Sequence, residues 1–136
     1  MSKNGRALWR EETPYLISGG FSEKESVYEE RSDAAKLCKA PLVSIYVLTY
    51  NHENYIAECL DSILAQTCDF EYEVIVGEDC STDKTRAICF DYQRKYPDKI
   101  RVIYSGQNVG LASNFRRLIR QVRGKYIAGC EGDDFW

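Results

Sequence analysis

Two adjacent carboxylates, Asp133 and Asp134, stand two residues after an apolar run that spans residues 126–130. Crowded like charges are costly unless a cation offsets them, and a divalent metal ion is the usual partner. Oxygen ligands of this kind suit hard ions such as Mg²⁺ or Mn²⁺, which can also carry substrate phosphates. The alternative interpretation of the isolated pair is a solvated acidic turn. The elements that position the two carboxylates decide between these interpretations.

The sequence after residue 41 alternates between runs typical of buried strands and runs typical of amphipathic helices. Strands are predicted at residues 43–48, 72–76, 100–104 and 126–130, where apolar and β-branched residues are nearly continuous. Helices are predicted between them, around the apolar stripe Ile56, Leu60, Ile63 and Leu64, then over residues 81–95 and 111–122. This alternation predicts an α/β fold, with a mainly parallel sheet flanked by helices.

Polar side chains follow three of the predicted strands. Ligands of parallel sheets bind beyond the carboxyl ends of the strands, and these ends carry Thr49-Tyr50-Asn51, Glu78-Asp79 and Asp133-Asp134. The usual glycine loops for phosphate, G-x-x-x-x-G-K-[ST] and G-x-G-x-x-G, are missing from the expected positions. A bound nucleoside diphosphate would therefore need a metal ion on Asp133-Asp134, and Asp79 would offer an acceptor to a base or ribose. Asp79 can also be a helix cap, and residues 49–51 can be simple turn residues.

Composition argues against several classes of protein. The 136 residues have a formal net charge of −3 and 44% hydrophobic residues, as expected for one globular domain. No basic footprint indicates a nucleic acid partner, and no apolar run is long enough to span a bilayer. No apolar stretch follows the first residues, so a cytoplasmic location is expected. The six cysteines form no C-x-x-C pair, which argues against structural zinc and favours reduced thiols.

The remaining basic side chains are interpreted as structural. His52 is expected to be a surface or turn residue. Four arginines are expected on the solvated face of the last helix: Arg116, Arg117, Arg120 and Arg123. One of them could reach a phosphate of a ligand.

Residues 1–40 are more polar and charged than the rest, and Pro41 marks the boundary. A helix from Ser22 to Lys39, capped by Ser22, is one interpretation of this N-terminal extension, and a disordered leader is the other. The extension is expected to pack loosely or to recruit a partner.

Several stretches in order carry a resemblance to a known family. They are residues 43–51 (VSIYVLTYN), 73–85 (EVIVGEDCSTDKT), 108–112 (NVGLA) and 124–128 (GKYIA), followed by Asp133-Asp134 at the position of a D-x-D-type motif. From Pro41 to Trp136 the chain resembles the nucleotide-binding half of an inverting family 2 glycosyltransferase with the Rossmann-like GT-A fold. It departs from the family pattern in having Glu78-Asp79 where Asp-Asp is common, and in opening the acidic motif with Glu131-Gly132.

The resemblance implies a role for each matched position. The turn Thr49-Tyr50-Asn51 would contact the base and ribose of a nucleotide-sugar, usually a UDP-sugar. Asp79 would accept a hydrogen bond from the uracil ring, and Asp133 would lie near the ribose or the sugar. Asp134 would hold Mn²⁺ or Mg²⁺, which would act as a Lewis acid when the nucleoside diphosphate leaves.

The resemblance also implies partners and a division of the chain. It implies metal-dependent transfer from a nucleotide-sugar to a glycan or to a lipid-linked acceptor, the latter at the inner face of the cell membrane. Inversion needs a base that deprotonates the acceptor, and in this family the base comes from well past the metal motif, so it is expected beyond Trp136. Residues 41–136 are therefore expected to be the nucleotide-sugar-binding half of a domain that is truncated after its metal-binding motif.

Other functions stay open on the sequence alone. A non-catalytic nucleotide-binding fragment is the main alternative, whereas a nucleotidyltransferase should carry a glycine-rich basic loop after the first strand. A sheet that ends after its fourth strand leaves an edge that further strands would cover. That edge predicts marginal stability or self-association of the 136 residues.

Overall fold

The computed structural model describes residues 8–9 and 23–136. Its strands are β1 (Leu8–Trp9), β2 (Glu29–Arg31), β3 (Val43–Thr49), β4 (Tyr72–Glu78), β5 (Ile100–Tyr104) and β6 (Tyr126–Glu131). Its helices are α1 (Glu23–Ser26), α2 (Ile56–Leu64), α3 (Thr85–Lys95) and α4 (Leu111–Ile119). Every strand and helix predicted after residue 41 is present, with ends that differ by at most a few residues.

The strands form one sheet in the order β1-β6-β3-β4-β5-β2. The four central strands are parallel, and the two outer strands are antiparallel to their neighbours. Alternate residues of the buried strands supply two cores, as the period of a strand requires. Val74 and Val76 face the cluster that includes residues of α2 and α3, whereas Ile75 packs with Leu118 and Ile119 of α4 on the other face. The predicted α/β fold, a mainly parallel sheet flanked by helices, is confirmed.

The segment before Pro41 completes the sheet instead of forming one long helix. The predicted helix from Ser22 to Lys39 is wrong over the described residues, because only Glu23–Ser26 is helical and Glu29–Arg31 is a strand paired with β5. Ser22, the predicted cap, lies outside the described residues. Tertiary contacts override the weak helical pattern: Glu30 pairs with the Arg101 guanidinium at 2.8 Å, and the Arg31 guanidinium lies 4.6 Å from the centre of the Phe90 ring.

Both edges of the parallel sheet are partly covered. At one edge β1 pairs with the start of β6, with Leu8 opposite Ile127 and Trp9 opposite Tyr126. At the other edge β2 pairs with residues 102–104 of β5. The prediction of self-association depended on an uncovered edge of the sheet. That uncovered edge is shorter than the sequence suggested, because β1 and β2 cover parts of β6 and β5.

A buried ion network holds the amino ends of the central strands. The Glu73 carboxylate, which is fully buried, accepts hydrogen bonds from Ser44 Oγ at 2.6 Å, from Arg123 N at 2.9 Å and from Arg101 Nη1 at 3.2 Å. Burial raises the pKa of Glu73, but the hydrogen bonds from Ser44 and Arg123 and the charge of Arg101 outweigh it, so the pKa lies below its ordinary value. The network fixes the end of the sheet opposite to the carboxyl ends of the strands.

None of the helices in the described part of the chain is both long enough and apolar enough to cross a bilayer.

Candidate functional site

A cavity of about 350 Å³ lies at the carboxyl ends of β3, β4 and β6. It is lined by Leu48, Thr49, Tyr50, His52, Asp79, Asn108, Gly110, Leu111, Asn114, Glu131 and Asp133. These residues lie in the last positions of parallel strands, in the loops that follow them, or in the first half of the helix α4. The cavity therefore occupies the edge of the sheet at which ligands of parallel α/β folds bind.

Asp79 lines this cavity and is almost completely buried, with 3% of its surface exposed. Its Oδ1 accepts a hydrogen bond from Val109 N at 2.8 Å, and its Oδ2 accepts one from Gly110 N at 2.9 Å. The Asp79 main chain is also held, because its N donates to Thr49 O at 3.1 Å and its O accepts from Asn108 Nδ2 at 2.9 Å. The carboxylate thus fixes the loop that leads into α4. Gly110, at the start of this helix, has a φ of 85°, which a glycine adopts without strain.

Arg117 is the buried cation next to Asp79 and lies on the buried side of α4. It is fully buried, which lowers the pKa of its guanidinium while the charge of Asp79 acts in the opposite direction. Its three guanidinium nitrogens donate to Asn114 Oδ1, Ser105 Oγ and Glu78 O at 2.8–3.0 Å. Arg117 Nη2 lies 3.8 Å from Asp79 Oδ1. The expectation of a solvated face is therefore wrong for Arg117, because the end of α4 turns this residue into the sheet.

The other arginines of that run are also engaged in ion pairs. Arg116 pairs with Glu25, Arg120 Nη1 lies 3.9 Å from Glu25 Oε2, and Arg123 Nη2 lies 2.7 Å from Glu73 Oε2. These pairs connect α4 to α1 and to the buried network, so the prediction of a simply solvated face is wrong for this helix. None of these three arginines lines the cavity.

Glu78, the residue before Asp79, serves the next turn instead of the cavity. Its buried carboxylate accepts from Ser81 N at 2.6 Å and pairs with Arg86 Nε at 2.5 Å. Arg86 also donates to Ser105 O at 2.7 Å. The negative charge of Glu78 is therefore neutralised by Arg86, and its carboxylate fixes the connection from β4 to α3.

The turn after β3 places its three predicted residues in different environments. Thr49 is buried and Tyr50 is 43% exposed, and both line the cavity. Asn51, with a φ of 54°, turns towards the next loop, where its Oδ1 accepts from Thr82 N at 2.8 Å and its N donates to Ser81 Oγ at 3.0 Å. Asn51 is not among the residues that line the cavity. It ties the β3–α2 turn to the β4–α3 turn.

The acidic turn after β6 folds back over β3. Gly132 N donates to Leu48 O at 2.8 Å, and Asp134 N donates to Glu131 O at 2.9 Å. A Cβ atom at Gly132 would lie 2.7 Å from both Thr49 Oγ1 and His52 Nδ1, so a larger residue would force these side chains or the turn to shift. Glu131 and Asp133 line the cavity, whereas Asp134 does not. The charge of Asp134 acts on the Cys59 thiol, whose pKa is raised by its hydrogen bond to Cys130, by burial and also by Asp134.

The donor set of this turn fits a metal ion that needs further ligands. No group of three or more histidine, cysteine or acidic side chains in the described part of the chain is arranged to hold an ion alone. Magnesium is usually bound by one or two carboxylates, with phosphate oxygens and water as the other ligands. The carboxylates of Glu131, Asp133 and Asp134 supply oxygen ligands of the required kind. A metal ion here would therefore bind together with a phosphate-bearing ligand.

Sequence reasoning found part of the cavity. It selected Thr49, Tyr50, Asp79 and Asp133, which the fold brings together around one space. It left open whether Glu131 joins the site, and it did not select three further lining residues with polar side chains, His52, Asn108 and Asn114. Asn108 and Glu131 carried a usable signal, because Asn108 stands in the loop after β5 and Glu131 is the last residue of β6. Asn114 and Arg117 could be placed only after the rotation of α4 against the sheet was known.

Comparisons with known proteins agree with this geometry. The family model described as "Glycosyl transferase family 2" matches residues 44–136. An uncharacterized protein of Mycobacterium tuberculosis is 44% identical over 94 residues, 69% of this chain and 27% of that protein. Chondroitin synthase of Escherichia coli is 38% identical over 128 residues, 94% of this chain and 17% of that protein. The crystal structure of S. aureus TarS in complex with UDP-GlcNAc is 34% identical, with a TM-score of 0.56 over 68% of this chain and 27% of that one.

The chain spans about a quarter of the length of the mycobacterial relative, and less of the synthase. The similarity to chondroitin synthase extends over most of the N-terminal segment as well as the sheet.

Proposed function

Because the chain belongs to glycosyl transferase family 2, we propose that it binds a nucleotide-sugar and serves the metal-dependent transfer of the sugar to an acceptor. The resemblance seen in the sequence motifs, including the GT-A fold, is confirmed by the family match and by the similarity to TarS. The TarS complex contains UDP-GlcNAc, which supports a UDP-sugar as the donor of this chain. The observation that carries the proposal is the cavity at the carboxyl ends of the strands, which contains both Asp79 and Asp133.

Asp79 is proposed to read the base although its oxygens already bind the loop. Each oxygen accepts one main-chain amide, and an ionised carboxylate has about four acceptor sites. A second donor, the N–H of a uracil ring, can therefore be bound without breaking the contacts that fix the carboxylate. The structural and the recognition roles of Asp79 are therefore compatible. The nearby Arg117 guanidinium offsets the negative charge of the carboxylate.

The other proposed contacts follow from the placement of the side chains. Thr49 and Tyr50 flank the base and ribose, and the exposed ring of Tyr50 offers a face for stacking. Asn51 holds their turn in place through its bonds to the neighbouring loop. Asp133 is proposed to contact the ribose or the sugar.

A divalent ion, Mn²⁺ or Mg²⁺, is assigned to Asp134. When bound, such an ion neutralises the diphosphate and favours its departure. The neighbouring carboxylates of Glu131 and Asp133 add negative charge at the same turn, which raises the local affinity for a cation. We assign no general base among the described residues.

Residues 41–136 are proposed to be the nucleotide-sugar-binding half of a GT-A domain, with parts of the N-terminal segment completing its sheet. The acceptor is proposed to be a glycan or a lipid-linked glycan, since relatives include a chondroitin synthase and a hyaluronan synthase. A cytoplasmic location, at the inner membrane face for a lipid-linked acceptor, is proposed with it.

Calorimetry with UDP tests the proposal. We expect binding in Mn²⁺ that weakens when EDTA removes the metal. Asp134→Ala should lower the affinity in Mn²⁺ by about tenfold or more, the loss of roughly one strong charge interaction. The matched control is Asp69→Ala, an exposed aspartate outside the cavity, which should bind as the unsubstituted chain does. Binding without any dependence on metal, or an Asp134→Ala variant equal to the control, would contradict the metal assignment.

A further inference from the structure

One side chain in the lining of the cavity can carry a positive charge, and it is His52. The lining also contains the carboxylates of Asp79, Glu131 and Asp133, and no lysine or arginine of the described residues belongs to it. A nucleoside diphosphate carries several negative charges, which favour charge-assisted hydrogen bonds from the protein. His52, the only histidine of the chain, is the group of this lining best suited to provide one.

The position of His52 is fixed by its main chain. Its N donates to Thr85 Oγ1 at 2.8 Å, and its O accepts from Tyr55 N and Ile56 N, both at 2.9 Å. These bonds place His52 in the turn that leads into α2 and tie it to Thr85, the first residue of α3. The histidine therefore stands at a junction of two helices, which limits how far its ring can move.

The ring is oriented by Thr49. The distance from His52 Nδ1 to Thr49 Oγ1 is 3.2 Å, and Thr49 is buried. When the threonine hydroxyl donates to Nδ1, the neutral ring carries its proton on Nε2, and the protonated ring carries one there as well. No described residue is hydrogen-bonded to Nε2. This nitrogen is a donor that none of residues 8–9 and 23–136 uses.

The acidic turn is pressed against the same ring. The absent side chain of Gly132 is what lets the turn come within contact distance of His52 Nδ1 and Thr49 Oγ1. Asp133 of that turn and His52 line one cavity. The site thus presents carboxylates and an imidazole next to each other, which suits a ligand that arrives as a metal ion with a diphosphate.

We propose, on the basis of the function proposed above, that His52 binds the diphosphate of the nucleotide by donating an Nε2–H hydrogen bond to a phosphate oxygen. Thr49 is the positioning residue that orients the ring. The interaction is direct and does not depend on His52 being a ligand of the metal ion.

The test compares ligands with and without phosphates on three variants. His52→Ala should weaken the binding of UDP in Mn²⁺ by about tenfold or more, the usual effect of losing a hydrogen bond to a charged group. The same variant should bind uridine, measured by NMR titration, within about twofold of the unsubstituted chain, because uridine has no phosphate. His52→Gln, with an amide nitrogen near the place of Nε2, should recover part of the UDP affinity. His52→Asn, whose amide reaches only the place of Nδ1, should not.

The outcomes separate this inference from the proposed function. Equal losses for UDP and uridine, or no loss for either, would overturn the role of His52 while nucleotide binding stands. The effect of His52→Ala should persist in EDTA, and its disappearance there would make His52 a metal ligand and overturn the direct contact. Absence of UDP binding by the unsubstituted chain would overturn the proposed function and this inference together. Thermal melts of the three variants identify any that are unfolded. If His52→Ala is unfolded, the difference in UDP affinity between His52→Gln and His52→Asn decides whether the Nε2 position binds the diphosphate.

Discussion

Replacing Asp79 by Asn changes two functions of one side chain, and the structure sets the size of each effect. The variant keeps the shape of the residue but offers one acceptor oxygen in place of two. One of the two main-chain amides, Val109 N or Gly110 N, then faces the amide nitrogen of the new side chain, donor against donor. The negative charge 3.8 Å from the buried Arg117 is lost as well.

These losses add up to a measurable destabilisation. A hydrogen bond to a charged acceptor contributes about 1.5–3 kcal/mol, and one of two such bonds is lost. Arg117 and Asp79 are both buried, and removing one partner of a buried ion pair costs about 3–5 kcal/mol. Arg117 keeps its three hydrogen bonds to Asn114, Ser105 and Glu78, which places the cost at the lower end of that range. We therefore expect Asp79→Asn to lower the free energy of unfolding by about 3–4 kcal/mol in all, which corresponds to roughly 15 °C in Tm for a chain of this size.

Asp83→Asn is the matched control, because Asp83 also binds two main-chain amides. Its Oδ1 accepts from Thr85 N at 2.9 Å and its Oδ2 from Glu53 N at 3.1 Å, but Asp83 is outside the cavity lining and only partly buried. We expect a loss of about 1 kcal/mol for Asp83→Asn and an unchanged affinity for UDP. Asp79→Asn should weaken UDP by about tenfold, since the base loses a charged acceptor.

Urea unfolding and calorimetry measure the two effects separately. Equal stability of Asp79→Asn and the unsubstituted chain would refute the structural role of the carboxylate. Equal UDP affinity of the Asp79 and Asp83 variants would refute base recognition by Asp79, even if the loss of stability is as large as expected.

Two further predictions concern the buried network and the acidic turn. Glu73→Gln removes the buried partner of Arg101 and should lower the free energy of unfolding, measured in urea, by about 3 kcal/mol. Glu30→Gln removes the more exposed partner of the same arginine and should lower it by about 1 kcal/mol. Equal effects of the two variants would contradict the importance of burial. Since the pKa of Glu73 is below its ordinary value of 4.5, its stabilisation is present above that pH and is lost as the pH falls through the folded-state pKa, so the unsubstituted chain should lose stability on acidification more steeply than Glu73→Gln. Gly132→Ala should weaken UDP binding, because its Cβ would displace His52 from the position that the glycine allows; unchanged affinity would show that the turn moves away without affecting the cavity.

The central sheet could be predicted from the sequence because its strands are buried on both faces. Nearly continuous apolar runs at residues 43–48 and 72–76 have few alternatives to a buried strand, and both are present as β3 and β4. The strand Glu29–Arg31 has no such pattern, since its three residues are charged. Its pairing with β5 comes with contacts to distant residues, Arg101 and Gln93 among them, and a single sequence does not reveal such contacts.

The part of the cavity that lies at the ends of the parallel strands could be predicted from the sequence. Thr49, Asp79 and Asp133 follow directly from the order of strands in a parallel sheet. The direction of each side chain does not follow, which is why Asn51 faces another loop and Asp134 lies outside the lining. His52 was missed because a lone histidine in a turn gives no signal until Thr49 and Gly132 are seen to pack against it.

The acidic side chains at this edge of the sheet fall into two groups that differ in compensation. Glu78 is paired with Arg86, and Asp79 has two amides and the Arg117 guanidinium. The side chains of Glu131 and Asp133, by contrast, have no ion pair or hydrogen bond with any described residue, and both are exposed to water.

Compensated carboxylates are held in place and can recognise a neutral group such as a base, whereas uncompensated ones attract a cation. The two groups line or border a single cavity, so a ligand with a base at one end and a metal-bound diphosphate at the other matches both. An anionic ligand without a cation meets net negative charge there, and a cation without the ligand lacks oxygen ligands. Metal ion and nucleotide should therefore each bind more tightly in the presence of the other, by the same factor.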